Sequence, residues 1–363
     1  MKKLYLAQIP NGEPLHEDLF NSNGAILVPK GKIMTPRLRQ QLLRSNIEYF
    51  LLDATGFNEV DHYLEHFEME TVKEIEEVRK VYTESVKNIS NEFERMRKIG
   101  NLDKKVVEET AHELVESIGR HQQVYLGLEG IRRKDFYTYI HSIDVAVFMI
   151  VLGKSLKLDR KQQERAAMAG LLHDIGKTRI HDNILLKPAR LTDEEMRVMQ
   201  EHSRIGHEIL TKELRYPADI ACAALEHHER MDGTGYPHGV NWEKLHLHSK
   251  MAAVCDIYDA ITGERVYKKA MLPHEAVEFL MTIVDKHLDR SLTTQFVRNI
   301  SVYPLGTRVT LNNQEEGIVV RLHDGYPTRP VVKVPRKGTV RDLLIEQTIM
   351  IERVHDPREA AVG

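Results

Sequence analysis

The sequence predicts a mainly α fold: an all-helical central domain, preceded by a small N-terminal α+β module and followed by a short C-terminal β segment. Three observations predict it. Apolar residues recur at helical spacing from about residue 60 to residue 300, and helix-boundary residues sit where the pattern breaks. Strand-like apolar runs with turn residues between them occur only towards the two ends. The chain has 363 residues, 42% hydrophobic and 29% charged, which suits a globular protein of about two or three domains.

Residues 1–58 read as the α+β module. Ala25-Ile26-Leu27-Val28 followed by Pro29-Lys30-Gly31-Lys32 is a strand and turn, Thr35 caps a short helix with Pro36 at its first position, and Glu48-Tyr49-Phe50-Leu51-Leu52 is a second strand. No His/Asp/Glu cluster and no glycine loop lies here, so the module is expected to be structural, with docking of signalling proteins as the functional alternative. Residues 59–128 read as a charged helical connector, exemplified by Thr71-Val72-Lys73-Glu74-Ile75-Glu76-Glu77-Val78. Its apolar stripe suits either a homodimer seam or packing on the next domain. Residues 129–300 are strongly helical: Thr192 and Glu195 form a capping box, Pro217 suits the first turn of a helix, and Gly263 ends the helix that carries Asp256 and Asp259. Residues 301–363 turn to a β pattern, with a hairpin of Gly306–Leu311 and Gly317–Leu322 about Asn312-Asn313 and a third strand at Pro330–Val334, a small cap on the helices.

With 51 basic and 54 acidic residues the net charge is −3, which argues against duplex DNA or RNA as partner while leaving room for a small anion at a local positive field. The two cysteines, Cys222 and Cys255, sit in apolar helical contexts and suit a reducing compartment. The N-terminal apolar stretch is too short for a signal peptide, and the longest apolar run, Val145 to Gly153, falls far short of the roughly 20 residues of a spanning helix. A cytoplasmic protein without membrane insertion is expected.

Chemistry concentrates in the central domain. His141, His173, Asp174, His202, His227, His228 and Asp256 lie in separate segments, each beside a core face. His173 and Asp174 end an apolar helix that Gly176 is expected to stop. His227 and His228 are adjacent and diverge by about 100° on a helix, so both serve one site only if the helix loosens there. A carboxylate between two histidine-rich half-sites can bridge two cations: His141, His173, Asp174 and Asp256 would hold one, and Asp174, His202, His227 and His228 the other. Mixed imidazole and carboxylate ligation suits two divalent transition-metal ions, Fe, Mn, Ni or Zn, and does not suit Mg or Ca. Such a centre attracts a phosphodiester and activates a water, and Lys177, three residues past Asp174, can reach a phosphate oxygen. A lone histidine such as His202 is more often a hydrogen-bonded core residue than a ligand. The set as a whole alters those odds, because buried ionisable groups without partners are costly.

The runs His173-Asp174-Ile175-Gly176-Lys177 and His227-His228-Glu229-Arg230-Met231-Asp232-Gly233-Thr234-Gly235-Tyr236-Pro237, with Asp256-Ile257-Tyr258-Asp259-Ala260-Ile261-Thr262 and Arg265, Tyr267 and Lys268 downstream, resemble the HD-GYP family of HD-domain phosphohydrolases over roughly residues 130–300. The resemblance implies hydrolysis of cyclic di-GMP to linear pGpG, in some members on to GMP. It matches the seven residues above to metal positions and Lys177 to the lysine at the scissile phosphate. Arg265 and Lys268 match positions that hold the nucleotide, and Tyr236 an aromatic near the substrate. Asp259 completes the expected substrate side, with support of the site favoured over a helix cap. The bland alternatives are a surface ion pair of Arg265 with Glu264 or Asp259, and a plain tight turn at Gly233–Pro237. Some members bind a third metal through a glutamate four residues before the first histidine; here that residue is Tyr137, so two metals and pGpG as main product are expected. The competing expectations are another cyclic dinucleotide, such as cyclic GMP-AMP, and a catalytically weak receptor or interaction module.

Overall fold

The structure, a computed structural model, describes residues 3–6, 9, 12, 15, 19–20, 26–28, 32–44, 49–51, 67, 69–127, 137–187, 189–240, 242–263 and 270–355. Four short strands, β1 (Lys3–Tyr5), β2 (Leu19–Phe20), β3 (Ile26–Val28) and β4 (Tyr49–Leu51), form an antiparallel sheet in the order β1-β4-β2-β3. Helix α1 (Pro36–Arg44) starts at Thr35, whose hydroxyl accepts from the Leu38 N–H at 3.2 Å. Leu6, Ile9, Leu19, Val28, Met34 and Leu42 make a small apolar cluster of their own.

Helices α2 (Met69–Ile99) and α3 (Lys104–Gly127) pack against each other, joined through Gly100 in the left-handed region (φ 67°), where its N–H donates to the Met96 carbonyl. This segment packs on the helices that follow it. Ile75, Val78, Tyr82, Val86, Ile89, Phe93 and Met96, spaced three and four apart, are buried in the same cluster as the central helices. The stripe weighed as a dimer seam is thus covered within the chain, because α3 packs on α5 (Arg160–Leu172) and α2 on α4 (Tyr137–Ser155).

Helix α4 is buried from Ile140 to Leu152 on every face, the mark of a core helix. Asp159 and Gln162 cap α5 reciprocally. After α5 the chain makes a 3-10 turn (Ile175–Arg179), then α6 (Asp182–Leu185) and α7 (Asp193–Glu208), which carries the expected Thr192/Glu195 capping box. Pro217 stands at the N-cap of α8 (Ala218–Glu226), and α9 (Leu247–Thr262) ends at Gly263, whose N–H donates to the Asp259 carbonyl at 2.8 Å with φ at −74°, so glycine's left-handed freedom is not used there. Helices α10 (Pro273–Ile283) and α11 (Arg290–Asn299) complete the helical body.

The C-terminal segment is a five-stranded antiparallel sheet in the order β8-β7-β6-β5-β9, comprising β5 (Arg308–Leu311), β6 (Glu316–Arg321), β7 (Val331–Val334), β8 (Thr339–Asp342) and β9 (Ile351–Val354). Val309, Leu311, Val319 and Val332 join the main apolar cluster, so the sheet closes one flank of the helices.

Candidate metal centre

Two close backbone approaches assemble the centre. A Cβ on Gly170 would lie 2.7 Å from the Ala146 Cα, so α4 and α5 touch there, one turn from His173. A Cβ on Gly176 would lie 1.9 Å from the His202 carbonyl oxygen and 2.6 Å from the Gly206 nitrogen. Gly176 therefore does not act as a helix stop, as its sequence context suggested. The helix has already ended at His173, and Gly176 lets the 3-10 turn lie directly on α7. Asp174 sits at φ −102°, ψ 10°, in the bridge region common among active-site residues, and turns its carboxylate into the bundle.

The seven sequence-derived residues meet around that carboxylate. Its Oδ2 lies 3.6 Å from His141 Nε2 and 3.4 Å from His173 Nε2; its Oδ1 lies 3.3 Å from His202 Nε2 and 3.8 Å from His227 Nε2. The ligand atoms of His141, His173 and Asp174 fall within 4.8 Å of one another, and so do those of His202, His227 and His228. Helix α8 loosens where it must: it ends at Glu226, His227 has φ −63° and ψ −16°, and the His227 and His228 rings sit 4.0 Å apart. Asp256, expected on the His141 side, faces both sides. Its Oδ1 is 3.1 Å from His141 Nε2 and its Oδ2 3.7 Å from His228 Nδ1.

The donor chemistry fits metal cations. His173, His202 and His227 each place Nδ1 on a backbone carbonyl, of Gly170, Met199 and Ala223, at 2.7–2.9 Å. With the Nδ1 proton used there, Nε2 carries the lone pair. Yet Nε2 atoms face each other at 3.2 Å (His141 and His173) and 3.3 Å (His202 and His227), and Asp174 Oδ1 is buried without a hydrogen-bond partner. The opposed lone pairs of His202 and His227 and the unpartnered Asp174 oxygen suit a cation between them, and a cation, or a proton on His141, suits the other pair. Burial pulls His202 down to about 4 and His228 to about 3, and holds His227 well below its ordinary value, so all three are neutral imidazoles ready to ligate. Burial also acts to lower His141, but its hydrogen bonds to Asp256 and Asp259 outweigh it and raise it to about 10. A proton there takes the place a cation would take. Asp174 and Asp256 are held well below the usual carboxylate range: burial opposes this, and the Lys177 charge for Asp174 and the His141 hydrogen bond for Asp256 prevail.

Around this centre, Lys177 Nζ donates to Asp174 Oδ2. Asp259, for which support of the site is the expectation favoured over a helix cap, sets its Oδ2 2.6 Å from His141 Nδ1 and is buried, so it orients a histidine from behind. The Tyr236 ring lies 4.6 Å from the His228 ring, tilted 30°. Arg265 and Lys268 lie outside the described residues, as does the side chain of Tyr137.

Two groups escaped sequence reasoning. Glu229 is buried, and its two oxygens accept from the His238 N–H at 2.8 Å and the Val240 N–H at 3.2 Å. Asp144, one turn past His141, accepts from the Tyr82 hydroxyl of α2 at 2.5 Å. An acid within a charged run or an apolar helix carries no local signal of such partners; for Glu229 the only hint was its place directly after the histidine pair.

The helical bundle brings histidines and two aspartates from five of its segments together, and this chain belongs to the family whose model, described as HD domain, matches residues 109–292. The domain is of the HD-GYP type. The chain is 39% identical over 232 residues to the cyclic di-GMP phosphodiesterase PA4108 of Pseudomonas aeruginosa, covering 62% of this chain and 56% of that protein. It is 41% identical over 131 residues to the cyclic di-GMP phosphodiesterase response regulator RpfG of Xanthomonas campestris, covering 36% of this chain and 35% of that protein. The chain thus spans about half or less of the length of these relatives. Among solved structures it shares the fold of Bd1817, a HDG"Y"P protein from Bdellovibrio bacteriovorus, with a TM-score of 0.53 and 16% identity over 82% of this chain and 98% of that one.

Proposed function

We propose that this chain is a metal-dependent phosphodiesterase that opens cyclic di-GMP to linear pGpG. The observation that carries the reading is the pair of histidine groups on opposite oxygens of one buried carboxylate, Asp174. The names of the relatives supply the substrate. His141, His173, Asp174 and Asp256 would hold one divalent ion, and Asp174, His202, His227 and His228 the other, with Fe or Mn favoured over Ni or Zn. Two such ions lower the pKa of a water and offset the phosphate charge.

The chain's own groups do the rest. Asp259 and three backbone carbonyls fix the histidine tautomers and ring planes. Lys177, a partly exposed ammonium beside Asp174, is placed to turn towards a non-bridging phosphate oxygen. Tyr236 stays a protonated phenol, because burial raises it, and offers an aromatic wall and a hydroxyl to a guanine. Arg265 and Lys268 are assigned to the nucleotide by the motif alone. Tyr137 in place of a third-metal glutamate supports two ions and pGpG as main product. Among the described residues no helix is long and apolar enough to cross a membrane, and both cysteines are free, which supports a reducing, cytoplasmic setting.

The test is product chromatography on anaerobically purified full chain loaded with Fe(II) or Mn(II), offered cyclic di-GMP and 3′3′-cGAMP separately. About two ions per chain and early pGpG from cyclic di-GMP are expected, and Asp174→Ala should lose both metal and turnover, as removal of a bridging ligand requires. Binding without turnover in fully loaded protein overturns the enzyme reading. Early GMP overturns the two-ion assignment, and faster turnover of 3′3′-cGAMP overturns the substrate.

A further inference from the structure

The loop after the histidine pair is seated on the pair's own backbone. The Tyr236 N–H donates to the His228 carbonyl at 3.2 Å, and a Cβ on Gly235 would lie 2.5 Å from the Arg230 nitrogen, the Glu229 Cα and the His228 oxygen. Gly233 and Gly239, both with positive φ, bring the loop's two ends together, since a Cβ on Gly239 would lie 2.8 Å from the Gly233 oxygen. Outside, the loop is strapped by Met231 N–H to His287 O at 3.2 Å and Asp232 N–H to Lys286 O at 3.0 Å. Beneath it lies Glu229, 1% exposed, holding the backbone amides of His238 and Val240. Its carboxylate thereby ties the far end of the loop, residues 238–240, back to the residue that follows His228.

We propose that Glu229 is a positioning residue for substrate capture: it touches neither substrate nor metal, and it fixes the place of Tyr236 through the backbone of residues 238–240. A carboxylate suits this task because both of its oxygens accept. A glutamine cannot replace it, since either orientation of the amide turns an NH2 against a backbone N–H. The kinetic arm of the test rests on the phosphodiesterase reading; the structural arm does not.

The experiment compares Glu229→Gln, Glu229→Asp, Tyr236→Ala and the Glu229→Gln/Tyr236→Ala double variant in the full chain, loaded with Mn(II). Trp242, the chain's single tryptophan, is buried two residues beyond Val240 and reports on the loop directly. In Glu229→Gln, acrylamide quenching of Trp242 should rise about twofold or more while metal content stays at the wild-type value, as expected when a buried acceptor is lost outside the ligand set. KM for cyclic di-GMP should rise about tenfold with kcat within about twofold, the split expected of lost binding. Glu229→Asp keeps both acceptors and should fall between. In the Tyr236→Ala background Glu229→Gln should change KM by less than about twofold, since the group it positions is gone. The proposal is overturned by lost metal, by a fall in kcat at unchanged KM, by unchanged Trp242 quenching, or by a full KM effect in the double variant. Absence of turnover in the wild type would sink the phosphodiesterase reading instead, with quenching and metal content still deciding the role of Glu229.

Discussion

A Cβ on Gly176 would fall inside the van der Waals shell of the His202 carbonyl, whereas one on Gly206 meets its nearest atom, the Gly176 nitrogen, at 3.2 Å. The two glycines face each other across the same contact, and their different clearances make a graded prediction. Gly176→Ala must push the 3-10 turn off α7 and should cost about 3 kcal/mol, the upper range for overpacking a rigid contact, while Gly206→Ala should cost about 1 kcal/mol. Urea denaturation of the metal-free proteins measures both. Because the displaced segment carries Asp174 and the struck one carries His202, Gly176→Ala should also lower metal content where Gly206→Ala leaves most of it; equal metal retention in the two would refute the coupling. At this scale the residue types that can hold a cation were legible, since histidines and aspartates beside apolar faces are few. The partner of each was not. Gly176 read as a helix stop, and Asp259 could be given a supporting role but no named partner, because the contacts that define them, with α7 and with His141, join residues far apart in the chain.

Helix α2 shows the same limit for elements. The charged face and the apolar stripe of its 31 residues are legible, but the partners are not: its buried face supplies Tyr82 to Asp144 on the helix that also bears His141. A charged outer face fixes only one side of a helix; which neighbour covers the other side is decided by tertiary packing. Tyr82→Phe removes one donor from a buried carboxylate at nearly constant volume. It should destabilise the chain by about 1–3 kcal/mol, measurable as a fall in the urea midpoint at unchanged slope. A neutral outcome would mean that Asp144 is satisfied without Tyr82. In the C-terminal sheet, β5, β6 and β7 were legible from their apolar runs and the Asn312-Asn313 turn. Strands β8 and β9 were not, because as edge strands they are half-exposed and carry Arg341-Asp342 and Glu352-Arg353 in place of an apolar alternation.

For the whole molecule, the organisation of the apolar clusters makes the last prediction. Residues from α2 through the C-terminal sheet share one cluster, which surrounds the metal centre, while the N-terminal strands and α1 bury a separate, smaller one. Residues within one continuous core unfold together, and a ligand stabilises only the unit that binds it. Mn(II) at a hundred times its dissociation constant adds about 2.7 kcal/mol to the unit that holds it, provided the unfolded chain does not compete. Spread over a body of this size, that is a rise of several degrees in its midpoint. Calorimetry of the full chain with and without chelator should therefore resolve a large transition that moves up with metal and a small one that does not. Asp174→Ala should leave both transitions in place and abolish the metal-dependent shift, because the substitution removes the shared oxygen ligands and little of the surrounding packing. A single transition that moves as one with metal would show instead that the N-terminal cluster and the helical body fold as one cooperative unit, and would tie the N-terminal segment energetically to the metal centre.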